Sequence, residues 1–558
     1  MVNGVLKFLN KEIGGLHQAA YLLGLFAFFS QVLALVRDRL LAASFGAGAS
    51  LDIYYAAFRI PDFIFVTVAS VVSISVLIPA LIERTAIDKK TARRFLTEVF
   101  TFFFSAIIVA AGIAFFLMPY IAPLVFPGFS DEAVAQTILL SRILLLSPIL
   151  LGISNVLGSI TQTFRRFFIY ALSPLLYNFG IILGILFLSP SLGIVGVVYG
   201  VITGALFHLL IQLPFVIRSG LLPGISFSSR WSNVRPVLLI SIPRTLTLAM
   251  SHLSILILLS FASLMDKGSI SVYNFSSNLQ SVPISIIGVS YSLAAFPTLS
   301  KLFSSGNQKK FLEQISTSAR HVVFWSVPIA VLFIVLRAQI VRVILGSGQF
   351  DWTATRLTAA ALALFAFSLV FQNIVLLYVR GFYSAGRTKA PLIISLFSSV
   401  VTIASVYFLI SFFNHVAMFR YWVESLFRVS DIAGTSVLML PLGFSVGQVV
   451  NGLLLLYFFK TNFKGNLGPL FKTVSHTFAA SIIMGGVIWF FLNVFDKIFD
   501  INTFFGVFFQ GFLSGIIGIA VALTILVLLG TEELRDIART LHRRFWKTPI
   551  IGPDPDIV

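Results

Sequence analysis

Ile121-Ala122-Pro123-Leu124, followed by Pro127-Gly128-Phe129 and Asp131, is answered about 220 residues later by Ile340-Val341-Arg342-Val343, then Gly348-Gln349-Phe350 and Asp351. Two further pieces recur in the same order and at nearly the same offset. Tyr54 with Pro79 and Leu81 is echoed by Tyr273 with Pro297 and Leu299; Ser147, Asn155 and Arg166 are echoed by Ser368, Asn373 and Arg387. Each echo is weak alone. Three in register argue for two homologous halves inside a membrane, a plan on which secondary transporters place a substrate site between repeats.

The medium is decided by composition. Of 558 residues 58% are hydrophobic and only 11% charged, with a mean hydropathy of +0.98, too few charges to cover a water-soluble protein of this length. Phe100–Leu117 and Val507–Leu529 are uncharged runs of spanning length. The first apolar run continues into a helical hairpin without a small-residue cleavage site, so it reads as a retained helix rather than a leader. The formal charge of +18 raises the question of nucleic acid, but the bases lie in loops, where membrane topology puts them, and no nucleic-acid partner is expected. With no cysteine, disulfides, thiolate metal sites and cysteine nucleophiles are excluded.

The reading is an all-α polytopic membrane protein with about 14 spanning segments, centred near residues 30, 70, 105, 145, 178, 205, 248, 285, 325, 368, 400, 447, 482 and 517. The turns alternate in charge. Arg84, Lys89, Lys90, Arg93 and Arg94 follow the second segment, Arg165 and Arg166 the fourth, Lys301, Lys309 and Lys310 the eighth, and Lys460, Lys464 and Lys472 the twelfth. The opposite turns are poor in base: 127–132 carries only acid and 189–193 no charge. The bias puts both termini in the cytoplasm. Two pseudo-symmetric six-helix bundles are expected, residues 1–231 and 232–464, then two extra helices over 465–530 and a basic tail over 531–558. The connection 413–434 has room for a short interfacial helix at Tyr421–Phe427. Pro61, Pro79, Pro148, Pro243, Pro283 and Pro297 fall inside helices and mark bends.

Four charges fall where lipid is expected. Arg37 and Asp38 lie in the first segment, Arg59 and Asp62 in the second, and Asp52 opens the second. Counting from the Gly46–Ser50 turn at ~1.5 Å per residue, both arginines sit roughly 10–14 Å deep on neighbouring helices. A charge at mid-membrane costs ~2.5–3.5 kcal/mol on insertion scales, so four together require a wet cavity or mutual pairing. Arg37 reads as an anion-binding, cavity-lining group, since a guanidinium fork suits phosphate. For Arg59 the same role stands level with an i,i+3 bridge to Asp62. Arg37 and Asp38, adjacent on a helix, point apart and each call for another partner. Asp38 and Asp52 are read as groups that orient the arginines or cap helix ends. Asn274, Asn278 and Gln280 in the eighth segment suit either sugar contacts or helix–helix glue. His252 reads as a satisfied interior histidine. Arg244, near the cytoplasmic end of the seventh segment, suits an entering anionic head group or a snorkelling anchor.

No nucleotide-binding glycine loop, His-Glu-x-x-His helix or serine nucleophile elbow is present. The chain does not read as an enzyme, and transport must draw on gradients or potential.

Val36-Arg37-Asp38 through Phe45-Gly46-Ala47-Gly48, then Asp52, Ala57-Phe58-Arg59-Ile60-Pro61, Pro127-Gly128-Phe129, Arg166-Phe167 to Pro174 with Asn178, and Phe296-Pro297-Thr298-Leu299-Ser300 together resemble the MurJ (MviN) family of lipid II flippases, in the multidrug/oligosaccharidyl-lipid/polysaccharide exporter superfamily. The likeness spans nearly the whole chain, the last two helices included. It departs where the family carries cavity charges: Gln31, Phe65 and Asn278 stand at arginine positions, and Ala69-Ser70-Val71 replaces an Ala-Glu-Gly triplet. The family's sodium site draws on acidic residues of helices seven and eleven; none stands there, and no metal or cofactor is carried over.

The resemblance implies movement of an undecaprenyl-diphosphate-linked peptidoglycan precursor by alternating access, with Arg37, Arg59, Asp38, Asp52, Asn278 and Arg244 as head-group residues and a lipid-tail groove along the last two helices. It implies a multi-pass protein of the bacterial cytoplasmic membrane, a monomer, with the lipid-linked glycan and membrane lipids as partners. Three rival readings stand beside it: a flippase for an O-antigen or capsule unit, a cation-coupled multidrug exporter using Asp38 or Asp52, and a scaffold recruiting cell-wall synthesis proteins through its tail.

Overall fold

The computed structural model describes residues 16–69, 74–226, 231–466, 468–536 and 539. Among them there is no strand; helices follow one another with short turns. Eleven helices are long and apolar enough to cross a membrane, twelve with the bent pair Trp352–Ala366 and Leu369–Ser384. Leu16–Phe45 and the Ala49–Ile64/Ile74–Ile87 pair supply the first two segments ahead of these. All but one of the expected centres fall on described helix or on a bend within a segment; the exception, residue 70, lies in the undescribed gap of the second segment. Within the apolar windows of the eleven, between 28% and 61% of residues are buried, so much of each helix presents hydrocarbon outward. That is the surface a lipid solvent requires, with polar groups turned inward. The protein is a multi-pass membrane protein.

Two segments depart from the regular α-helix just after a proline that removes a backbone donor. Pro61 lies four residues ahead of a π-helical stretch, Phe65–Ala69, and Pro283 immediately ahead of another, Ile284–Val289. A missing N–H and a ring clash widen the helix locally. The fourth and tenth segments break at Leu145 and at Phe367–Ser368, the latter by 46°.

Close glycine packing fixes the fifth segment. Phe167–Leu183 and Ile194–Leu210 cross with Gly180 on Gly204 and Gly184 on Gly200, where an added Cβ would fall 2.3 and 2.5 Å from the facing Cα. Small residues at four-residue spacing let two membrane helices approach backbone to backbone. The fifth segment in turn packs along Leu16–Phe45, which places Asn178 beside Arg37. The last two helices, Gly468–Asp496 and Phe504–Leu528, form a hairpin; the first packs on Gln308–Val335 and the second on Arg337–Leu345.

The connection 413–434 holds a helix over Ala417–Phe427, which includes the expected Tyr421–Phe427. Val423, Glu424 and Phe427 face inward while Met418, Tyr421 and Trp422 are exposed. The tail beyond Asp536 lies, Arg539 apart, outside the described residues.

Candidate functional site

Arg37 does not turn to lipid. Its Nε and Nη2 both donate to Oδ1 of Asp38, at 3.0 and 2.8 Å, and Nη1 donates to Oδ1 of Asn178 at 3.0 Å. The expectation that Arg37 and Asp38 point apart is corrected: neighbouring Cβ atoms diverge on a helix, but the long arginine stem folds sideways across the short carboxylate. Asp38 is 3% exposed and its other oxygen accepts from Nδ2 of Asn278 at 2.9 Å. Asn178 is held in turn, its amide donating to the carbonyl of Pro174 at 3.2 Å and to Ser30 at 3.5 Å. One network thus joins the first, fifth and eighth segments. It lines a cavity of about 280 Å³, with Gln31, Tyr177 and Ser281 on the same walls. That volume holds roughly nine waters at ~30 Å³ each, enough to hydrate a guanidinium.

Arg59 sits apart from this cavity. Its Nη2 donates to Oδ1 of Asn274 on the eighth segment, and its Nε is buried without a partner. The i,i+3 bridge to Asp62 is corrected: among the described residues no ion pair joins them, because the guanidinium reaches across to the facing helix instead. Asn274 is itself fixed, donating to the carbonyl of Ile270 at 2.7 Å.

Asp52 caps. It is buried and accepts from the backbone N–H of Gly268 at 2.6 Å, the N–H of Ser271 at 2.8 Å and the Ser271 hydroxyl at 2.7 Å. These are the free donors at the start of Ser269–Pro283, so a carboxylate from the second segment satisfies the eighth. Asp38 and Asp52 are therefore both committed to protein donors, and neither stands free to bind the cation that a drug exporter of the expected kind requires. Arg244 lies on the helix Trp231–Ser263, its side chain outside the described residues. Among the departures, Gln31 donates to Ser285 at 3.4 Å, Phe65 lies in the π-helical stretch, and Ser70 is outside the described residues.

Two residues escaped the sequence reading. Asn178 has no role in the sequence reading; its signal is an amide alone in an apolar run. Arg39 was passed over beside Arg37 and Asp38. It donates to the carbonyl of Val343 at the end of Arg337–Leu345 and stacks on Phe504, at 5.2 Å, so it ties the first segment to the tenth's approach and to the last helix. A cation at a helix C-terminus meets the negative end of its dipole.

The chain matches the family model described as lipid II flippase MurJ over residues 41–420. A protein of Buchnera aphidicola named probable lipid II flippase MurJ is 29% identical over 403 residues, 70% of this chain and 77% of that one. One of Thermotoga maritima with the same name is 28% identical over 469 residues, 81% and 92% of the two chains. The solved structure of a lipid II flippase MurJ in an inward closed conformation superposes with a TM-score of 0.72 at 24% identity, covering 93% of this chain and all of that one. An inward-facing MATE multidrug transporter follows at 0.65 and 16%, covering 78% and 94%. These likenesses give the exporter-superfamily fold. The family model alone spans more than half of the 558 residues, and the chain belongs to the MurJ family of lipid II flippases, transporters rather than catalysts.

Proposed function

We propose that the chain carries lipid II from the inner to the outer leaflet of the bacterial cytoplasmic membrane by alternating access. Residues 1–231 and 232–464 act as two rocking halves. Residues 465–530 offer the groove along which the prenyl tail stays in lipid, and 531–558 form a cytoplasmic tail. Both termini lie in the cytoplasm by the distribution of bases. The π-helical stretches Phe65–Ala69 and Ile284–Val289, at matching places of the second and eighth segments, support the twofold plan.

The observation that carries the reading is the Arg37 guanidinium, held between the first, fifth and eighth segments in a small cavity. A diphosphate entering there can take over donors now spent on Asp38 and Asn178. Until then Asp38 keeps the fork oriented. Asn278, on the same cavity, and Arg59, across on the second segment, are proposed as further head-group residues, with Arg244 of the seventh segment as a group for an entering head group. Inside-negative potential favours outward movement of an anion. For a charge of about −2 this is worth ~4–5 kcal/mol per 100 mV, which drives the cycle without ATP.

The test is replacement in the native host. With the wild-type protein depleted, an Arg37→Ala variant present at normal level should leave lipid II inaccessible from outside; unchanged accessibility removes the anion site. Gln31 and Asn278, neutral where the family carries cations, favour a second reading in which another lipid-linked oligosaccharide is moved. Normal lipid II exposure after depletion, with loss of a surface glycan, would select that reading.

A further inference from the structure

A second polar cavity lies far along the chain from the Arg37 network. It measures about 900 Å³, within the size range of small-molecule sites, and is walled by the start of Gln308–Val335, the start of Gly468–Asp496 and residues 530–535. Five cationic side chains line it against three carboxylates. Two of the carboxylates are spoken for. Arg320 pairs with Glu532 and lies 3.5 Å from Glu533, which also accepts from the Thr473 hydroxyl at 2.7 Å. Glu313, one turn beyond Lys309, is the third. Lys309, Lys464, Lys472 and Arg535 are exposed cations around the opening, Lys472 and Arg535 sharing the field of Glu532 with Arg320.

The helix ends sharpen this. Gln308–Val335 and Gly468–Asp496, of 28 and 29 residues, both begin at this cleft, and neither has an acidic residue in its first turn. Lysines stand there instead, Lys309 in the first turn of one and Lys472 one turn inside the other. Positive dipole ends normally attract carboxylates, and lysine beside them is repulsive. Five cations against three carboxylates, at the starts of two helices, leave an excess of positive charge that suits an anion. Leu312 and Pro469 are the apolar residues of the lining, which is completed by the stems of the long charged side chains.

We propose that this cleft binds a soluble, phosphate-bearing anion of nucleotide size. The phosphate lies between Lys472 and Lys464, with Lys309 and Arg535 closing over it, and so ties residues 530–535 to the ninth segment at the foot of the last two helices.

The experiment uses the full chain in nanodiscs of neutral lipid, with ADP as probe and adenosine as the uncharged control, read by calorimetry and by the shift in unfolding temperature. ADP should bind and stabilise while adenosine does neither. Lys472→Gln and Lys464→Gln, both at exposed positions, should each weaken binding about tenfold, as loss of one charge-assisted bond predicts. Lys90→Gln removes the same charge from the separate Lys90, Arg93 and Arg94 cluster and should change nothing. Absence of any heat or shift with ADP overturns the proposal. So does equal weakening by Lys90→Gln, or stabilisation that appears only when phosphatidylglycerol is added to the disc.

Discussion

Gly348 rests on the carbonyl of Ala43: a Cβ built there would stand 2.3 Å from the oxygen. Gly128 rests on the carbonyl of Ser263 in the same manner, at 2.0 Å. Gly128 and Gly348 are 220 residues apart, and so are Ala43 and Ser263. One contact is thus made twice, each time by the turn before a broken segment against the end of a helix from the other part of the chain. Gln349 adds a backbone bond to Ala43 at 2.9 Å, and Gly268 packs on the carbonyl of Ala47. Together they seal the end of the bundle that carries Gly46.

Substituting either glycine should open that seal. A side chain forced into a backbone contact costs about 1–3 kcal/mol, and a bias of that size shifts a two-state equilibrium roughly 5- to 150-fold. Gly348, at φ +59°, adds backbone strain for any other residue. Because the chain has no cysteine, Ser281→Cys on the Arg37 cavity serves as a single reporter. An impermeant maleimide added outside should label it slowly in the parent and much faster with Gly348→Ala or Gly128→Ala. Gly112→Ala, with nothing within 4 Å, is the control. Equal labelling in all four proteins would remove the latch.

The Asp52 cap is the polar counterpart of the glycine contacts, since it too joins distant parts of the chain, here the second segment and the eighth. Asp52→Ala strands two buried backbone donors and a hydroxyl, at about 1–3 kcal/mol for each group left unsatisfied. The variant should unfold at lower temperature and label faster at the same reporter. Asp52→Asn, which keeps an acceptor oxygen, should fall between. Were Asp52→Ala as stable as the parent, the cap would have no bearing on the closed state.

What the sequence made legible and what it withheld divide along one line. The spans are local properties, read from apolar length alone. The glycine turns were also visible, as echoes at Gly128 and Gly348, but not their partners. Partners depend on which helix faces meet, and those pairs lie 135 to 305 residues apart. Hence the sequence offers Arg59 the Asp62 of its own helix, and the structure pairs it with Asn274 on another. Arg39 looked like a spare charge and proved to cap Arg337–Leu345. Arg37 erred in the opposite sense: rigid helix geometry argued against Asp38, and side-chain length overrode it.

Asn278 is where cavity charge can be tuned. Its amide donates to the Asp38 oxygen that Arg37 leaves free. Asn278→Arg would place a second guanidinium on that oxygen, with Asp38 present to balance it, and should tighten binding of undecaprenyl diphosphate to the purified protein. Asn278→Asp would set two carboxylates side by side without a bridging donor and should weaken binding at least about tenfold, since like charges at such range cost several kcal/mol in a protein interior. Equal affinity for all three proteins would show that the diphosphate binds elsewhere.

Arg356 and Asp431 give a dependence on pH at the opposite extreme of exposure. Arg356 donates to both Asp431 oxygens, at 2.7 and 2.6 Å, and to the carbonyl of Arg428, pinning the connection that follows Ala417–Phe427. The hydrogen bond from Arg356 holds the Asp431 carboxyl below its usual range. A lowered folded value means the loop gains its support fully at neutral pH, where the carboxylate is ionised in either state, and loses it as pH falls through that lowered value. Hydrogen exchange over 428–434 should therefore be unchanged from neutrality to about pH 5, and protection should fade only below the ordinary carboxylate range near pH 4. Asp431→Asn should show weak protection throughout with no such step. Raised salt should blunt the step in the parent, because the pair is open to solvent. A step of the same size in Asp431→Asn would assign it to another acid.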